Sequence, residues 1–167
     1  RKMKAVKSTK QVTKAMELVA ASKMRRATLN AQTLRRYALT AWTILRKVAH
    51  AHPGQHPFLE VRPQKKMLVV FFTSDRGLCG SFNSGLLKKA ELMYKTEASK
   101  YQSMQFICIG KKGYEYLNLR KIPVKEYLPD FQKSLSYARV QAVANELIES
   151  YTKEEVDEVR MIFSEFK

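Results

Sequence analysis

The sequence predicts an α/β chain: one long N-terminal helix, then a domain with a mostly parallel sheet. Three observations carry this. Residues 1–50 contain neither Gly nor Pro and are rich in Ala, Lys, Arg, Leu and Met, a composition that favours helix. The breakers then arrive together in HPGQHP (His52–Pro57). After them, short apolar runs alternate with amphipathic stretches, the pattern of strands joined by helical crossovers.

A helix of 50 residues would be roughly 75 Å long at 1.5 Å per residue, longer than a domain of this size is wide, so it is expected to project as a rod. Its apolar positions, Val12, Met16, Val19, Ala27, Ala31, Leu34, Ala38, Ala41, Leu45 and Val48, follow steps of three and four, a coiled-coil-like spacing weakened around Lys23–Arg26. Much of this stripe is alanine. It admits a close partner helix but buries little area, so the rod calls for a partner. Two shorter helices folded back on each other are the alternative, against which stands the lack of any turn residue.

The second part begins near Lys65. KKMLVVFFTSD reads as a buried strand. Asn83–Tyr101 reads as an amphipathic helix, and MQFICIG (Met104–Gly110) as a second buried strand. KKGYEYLNLR is a short helix or turn. Ile122–Pro129 suits a short edge strand, given its prolines. Ser134–Tyr151 is a helix capped by Ser134 or Ser136, with Leu135, Ala138, Val140, Ala144, Leu147 and Ile148 as its apolar face. Val156–Phe166 is the last strand. The expected organisation is a helix over 1–55, a linker over 56–66 and an α/β domain over 67–167.

Composition narrows the function. At 45% hydrophobic residues the chain can bury a core, which excludes wholesale disorder. No run approaches the roughly 20 apolar residues of a membrane span, and no apolar segment follows the basic N-terminus as in a secretory signal. Two cysteines, Cys79 and Cys108, make no disulfide framework and fit a reducing compartment. The net charge is +16, and residues 1–50 hold thirteen basic residues against the single acid Glu17. That segment alone is +12, so its expected partner is acidic: nucleic acid, anionic lipid or an acidic protein surface.

The stretch TSDRGLCG (Thr73–Gly80), between strand and helix, has the position of a phosphate loop but not its spacing. Gly77, Gly80 and Gly85 match neither the Walker nor the dinucleotide pattern. A tight turn is the plainer reading. Cys79, beside Arg76 and ahead of a helix, has some features of an activated thiolate. The three histidines, His50, His52 and His56, all lie in the connecting segment, which reads as a solvated linker rather than a metal site. Asp75 and Arg76 read as an internal loop contact. Glu91, Glu97, Glu115 and Glu126 are scattered on presumptive helix faces and form no acid/base pair. Nothing assembles a nucleophile, base and oxyanion donor. The basic helix has only Tyr37 and Trp42 as aromatics and its charges surround the axis, so phosphate contacts alone would have to carry nucleic-acid binding. A protein surface satisfies both the stripe and the charge.

STKQVTKAMELVAASKMRRAT (Ser8–Thr28), HPFLEVR (His56–Arg62) and SDRGLCGSFN (Ser74–Asn83) closely resemble, in order and spacing, the γ subunit of F-type ATP synthases. The resemblance implies a non-catalytic rotor subunit that needs no cofactor. Its long helix would be half of an antiparallel coiled coil inside a hexamer of α and β subunits. A Rossmann-like α/β domain would sit below, next to the ε subunit and the c-ring of the membrane sector. The resemblance further implies a role in ATP synthesis and hydrogen ion transport, no nucleic-acid partner, and indirect membrane association on the cytoplasmic side of a bacterial inner membrane or its organellar equivalent. It places Lys14, Met16, Lys23, Arg25 and Arg26, and Arg76 and Cys79 of the loop, against acidic loops of the β subunits. It also implies a second long helix after the α/β domain; the sequence ends at Lys167 without it, and opens several residues inside the first helix.

Overall fold

The computed structural model describes residues 2–133 and 135–165. Two compact units divide between Glu60 and Val61. In the first, α1 runs unbroken over Lys2–Ala51, 50 residues with none buried. The two-helix alternative is therefore not what forms; with no Gly or Pro before Pro53, nothing interrupts the hydrogen-bond ladder. Five threonines (Thr9, Thr13, Thr33, Thr40 and Thr43) turn their hydroxyls onto carbonyls four residues back, so they cost the helix no unsatisfied donor. Beyond α1, His56 accepts a hydrogen bond from the Phe58 amide (3.2 Å) and caps a 3-10 turn over Pro57–Leu59.

The second unit is built on four strands: β1 (Lys66–Phe72), β2 (Ser103–Ile109), β3 (Val124–Leu128) and β4 (Glu158–Ile162). All three pairings are parallel, in the order β3-β2-β1-β4. The crossovers are α2 (Phe82–Glu97), α3 (Lys111–Leu119) and α4 (Tyr137–Thr152). A central parallel strand is covered on both faces, which is why its sequence is continuously apolar rather than alternating. Met67, Val69 and Phe71 of β1 pack with Phe106, Leu86, Ala90 and Leu117 on the α2–α3 side. Leu68 and Val70 pack with Ile107, Ile109, Phe131 and Leu147 on the α4 side.

Several elements differ from expectation. Helix α4 begins after Ser136, whose side chain accepts from the Arg139 amide; the other cap candidate, Ser134, lies outside the described residues. The sheet takes the arc Val143, Leu147 and Tyr151 of this helix. Most of the expected face is solvated instead: Leu135, Ala138, Val140, Ala144 and Ile148 are exposed. The helix carries two apolar arcs, and their periodicity alone does not say which meets the sheet. The strand expected over Val156–Phe166 is shorter, with Val156 buried ahead of it; Phe166 lies outside the described residues. Glu126 sits on strand β3, not on a helix.

Candidate functional site

Sequence reading points to two surfaces, the face of α1 and the loop after β1. On α1 the stripe is open to solvent: Met16 is 50% exposed, Val12 56%, Leu34 65% and Leu45 59%. Helices of globular proteins bury such a stripe; here the apolar face of α1 is exposed along its length. Lys14 reaches Glu17 at 3.1 Å, both side chains about two-thirds exposed. Lys23, Arg25 and Arg26 are exposed and make no ion pair among the described residues. They gather within about one helical turn at the weak patch of the stripe, as the sequence indicated.

The loop is shaped by side chains. Thr73, at the end of β1, is buried; its hydroxyl donates to the Gly110 carbonyl (3.2 Å) and accepts from the Gly113 amide (2.8 Å). Ser74 donates from its hydroxyl to the Arg76 carbonyl (2.6 Å) and accepts from the Asn83 side-chain amide (2.7 Å). Asn83 in turn accepts from the Ser74 backbone amide (3.1 Å) and donates to the Cys79 sulfur (3.2 Å). This lattice closes the turn on itself and holds it to the start of α2. Leu78 takes a positive φ of 61° and is 94% exposed. The loop thus presents Arg76, Leu78 and Cys79 outward.

Cys79 is exposed, and the side chains at its sulfur are Ser74 and Asn83, neither of them a base. Asp75 does not hydrogen-bond Arg76; its carboxylate accepts the Lys111 amide at the first turn of α3 (3.1 Å), a capping contact. Cys108 is buried in β2, and burial pushes its thiol up to about 12, so it packs as a small apolar residue. Among the carboxylates, Glu91 pairs with Lys95 and Arg120, Glu97 with Arg160, and Glu115 with Lys111 and Lys112. Glu126 is raised by burial and by neighbouring Glu146. No group of His, Cys, Asp and Glu suited to a metal occurs among the described residues.

Doubly wound sheets bind ligands where the strand order reverses, here between β1 and β4. An open cavity of about 320 Å³ does lie there. Its walls include Phe72, Phe82, Met161 and Phe163, and Gln132 spends its amide on the Thr73 carbonyl (2.9 Å). The residues that line it are mostly apolar or aromatic, with no charged side chain among the described ones. Sequence reasoning missed Asn83, Thr73 and Gln132 as the residues that shape the loop. Asn83 stood inside the SDRGLCGSFN stretch, but its contact with Ser74 depends on the turn between them.

The fold is that of an α/β protein with one long helix on which nothing is buried, followed by a doubly wound parallel unit. A family model described as ATP synthase matches residues 1–167. The ATP synthase gamma chain of Bdellovibrio bacteriovorus is 37% identical over 166 residues, covering 99% of this chain and 56% of that one. The gamma chain of Trichlorobacter lovleyi is 39% identical over 163 residues, covering 97% of this chain and 56% of its own. That of Sorangium cellulosum is 33% identical over 192 residues, with 100% of this chain and 59% of its own covered. The chain belongs to the gamma-chain family of ATP synthases. It spans somewhat over half the length of these curated relatives. No helix among the described residues is long and apolar enough to cross a membrane.

Proposed function

We propose that this chain forms part of the central rotor shaft of an F-type ATP synthase and catalyses nothing itself. Its task is to couple ion-driven rotation of the membrane ring to conformational change in the catalytic β subunits. The observation that carries this reading is α1: 50 residues of uninterrupted helix with no buried residue. It also holds +11 of the chain's net charge of +16. Residues 1–55 serve as the shaft, 56–66 as the connector and 67–167 as the globular domain. A second helix of the complete subunit covers the stripe from Val12 to Val48. Lys14, Met16, Lys23, Arg25 and Arg26 face acidic loops of the β subunits, and so do Arg76 and Cys79 from the loop after β1. Exposed ion pairs contribute on the order of 0–1 kcal/mol each, which suits a bearing that engages one subunit and releases the next.

The remaining partners are the α subunits, the ε subunit and the c-ring, through which the chain meets the membrane indirectly on the cytoplasmic side of a bacterial inner membrane, or its organellar equivalent. Affinity purification of the tagged full-length subunit tests this. A hexameric ATPase of α and β subunits with ε is the expected companion. Recovery of a lone monomer with no affinity for α and β subunits refutes the assignment.

A further inference from the structure

The main chain changes character at Arg62. Just before it, Val61 is 99% exposed, and residues 52–61 are all exposed except the half-buried Leu59. The Arg62 side chain, by contrast, is only 13% exposed. Its Nη2 donates to the carbonyls of Tyr151 (2.7 Å) and Val156 (3.1 Å). Its guanidinium carbon lies 3.9 Å from the centroid of the Tyr151 ring. Its Nε stands 3.9 Å from the Asp157 carboxylate, too far to donate, and is buried without a hydrogen-bond partner. The other oxygen of Asp157 accepts the amides of Lys65 (2.9 Å) and Lys66 (2.8 Å). Arg62 therefore ties the incoming chain to the last turn of α4 and the α4–β4 turn, and Asp157 of that turn holds the first residues of the sheet, all within the second unit.

We propose that Arg62 is the anchor that fixes the connector to the α/β unit, so that turning force passes into the sheet without slack; this rests on the shaft reading above. The choice of residue supports it. A planar guanidinium stacks flat on a ring with its donors in a fixed fork, an orientation that a freely rotating lysine ammonium does not hold. A buried charge with one unsatisfied nitrogen and a distant carboxylate is a poor device for stability, because an apolar residue of similar volume often serves as well. What this arrangement supplies is position. Without it, the next attachments of the chain are the amides of Lys65 and Lys66. Residues 62–64 then join the loose connector and lengthen it by roughly 10 Å of contour.

The test uses the full-length subunit in the assembled ATPase, in inverted membrane vesicles, with Arg62→Lys and Arg62→Leu. Three quantities are read: ATP hydrolysis, ATP-driven proton uptake by quenching of a pH-sensitive dye, and amide exchange. The expected result is hydrolysis retained, proton uptake per ATP reduced, and protection lost at the amides of Glu155, Val156 and Asp157 in the turn that Arg62 grips, while the amides of Lys65, Lys66 and the rest of β1 and β2 keep theirs. A merely structural role would lower thermal stability without separating uptake from hydrolysis. Unchanged uptake per ATP in both variants, or unchanged protection at Glu155, Val156 and Asp157, overturns the anchor. If the leucine variant does not assemble, the lysine variant decides by the same readings; failure of both to assemble overturns the proposal in favour of a folding role. Failure of the wild-type subunit to enter the complex would instead refute the shaft reading, leaving amide exchange to judge the anchor alone.

Discussion

Gly110→Ala should damage the α/β unit far more than an added methyl group suggests. Gly110 closes β2 with φ of 111°, a backbone region that L side chains rarely enter. A Cβ there would stand 2.1 Å from the Thr73 carbonyl oxygen, 2.6 Å from its carbon and 2.7 Å from its hydroxyl. Two of these atoms are backbone, so no rotamer change relieves the clash. The strained backbone costs about 1–3 kcal/mol, and forcing the β1 terminus away from α3 costs about 1–3 kcal/mol more. The same movement pulls apart the Thr73 hydroxyl and the Gly113 amide, now 2.8 Å apart, for about 1 kcal/mol. A loss of about 3–7 kcal/mol is a large part of the 5–15 kcal/mol by which domains are usually stable. Amide exchange at Val69 and Phe106, both fully buried in central strands, reads the global opening free energy of the unit. Gly85→Ala is the control: no atom lies within 4 Å of its added Cβ. It sits inside α2 and should gain about 0.5–1 kcal/mol. A Gly110→Ala protein within about 1 kcal/mol of wild type would refute the claim that this contact positions the loop.

Three other outcomes follow from the same geometry. Glu91 accepts from Lys95 (2.7 Å), Tyr116 (2.5 Å) and Arg120 (2.8 Å), and with Lys95 as the largest influence its carboxyl is lowered from 4.5 to about 2. Its contribution is therefore present above the unfolded value and is lost as pH falls from about 4.5 to about 2; carboxyl titration by NMR should place Glu91 at the low end, and Glu91→Gln should destabilise at pH 7 but not below pH 2. Iodoacetamide should label exposed Cys79 in the folded chain and reach buried Cys108, its thiol at about 12, only after denaturation; equal labelling rates in the native state would contradict the placement of β2. Reversing Lys23, Arg25 and Arg26 together to Glu should weaken association with the α and β subunits by no more than about 1 kcal/mol per charge. The loss should shrink at high salt, which a pull-down across ionic strengths reveals.

The sequence by itself determined what depends on neighbours along the chain. Fifty residues without Gly or Pro, ending at HPGQHP, make one helix because nothing nearby breaks its ladder. LVVFF and FICI make strands buried on both faces because an unbroken apolar run has no side to give to water. The loop was legible as a turn without a phosphate pattern, and the basic residues of α1 as an exposed excess of positive charge. Tertiary structure decided what depends on residues far apart: which apolar arc of α4 meets the sheet, that Thr73 grips Gly113 from 40 positions away, and that Arg62 reaches Val156 across 94. Such contacts have no local signature. They exist because parallel pairing brings the starts of β1 and β4 together at one edge and the ends of β1 and β2 together at the other, and the side chains lying there then find their partners.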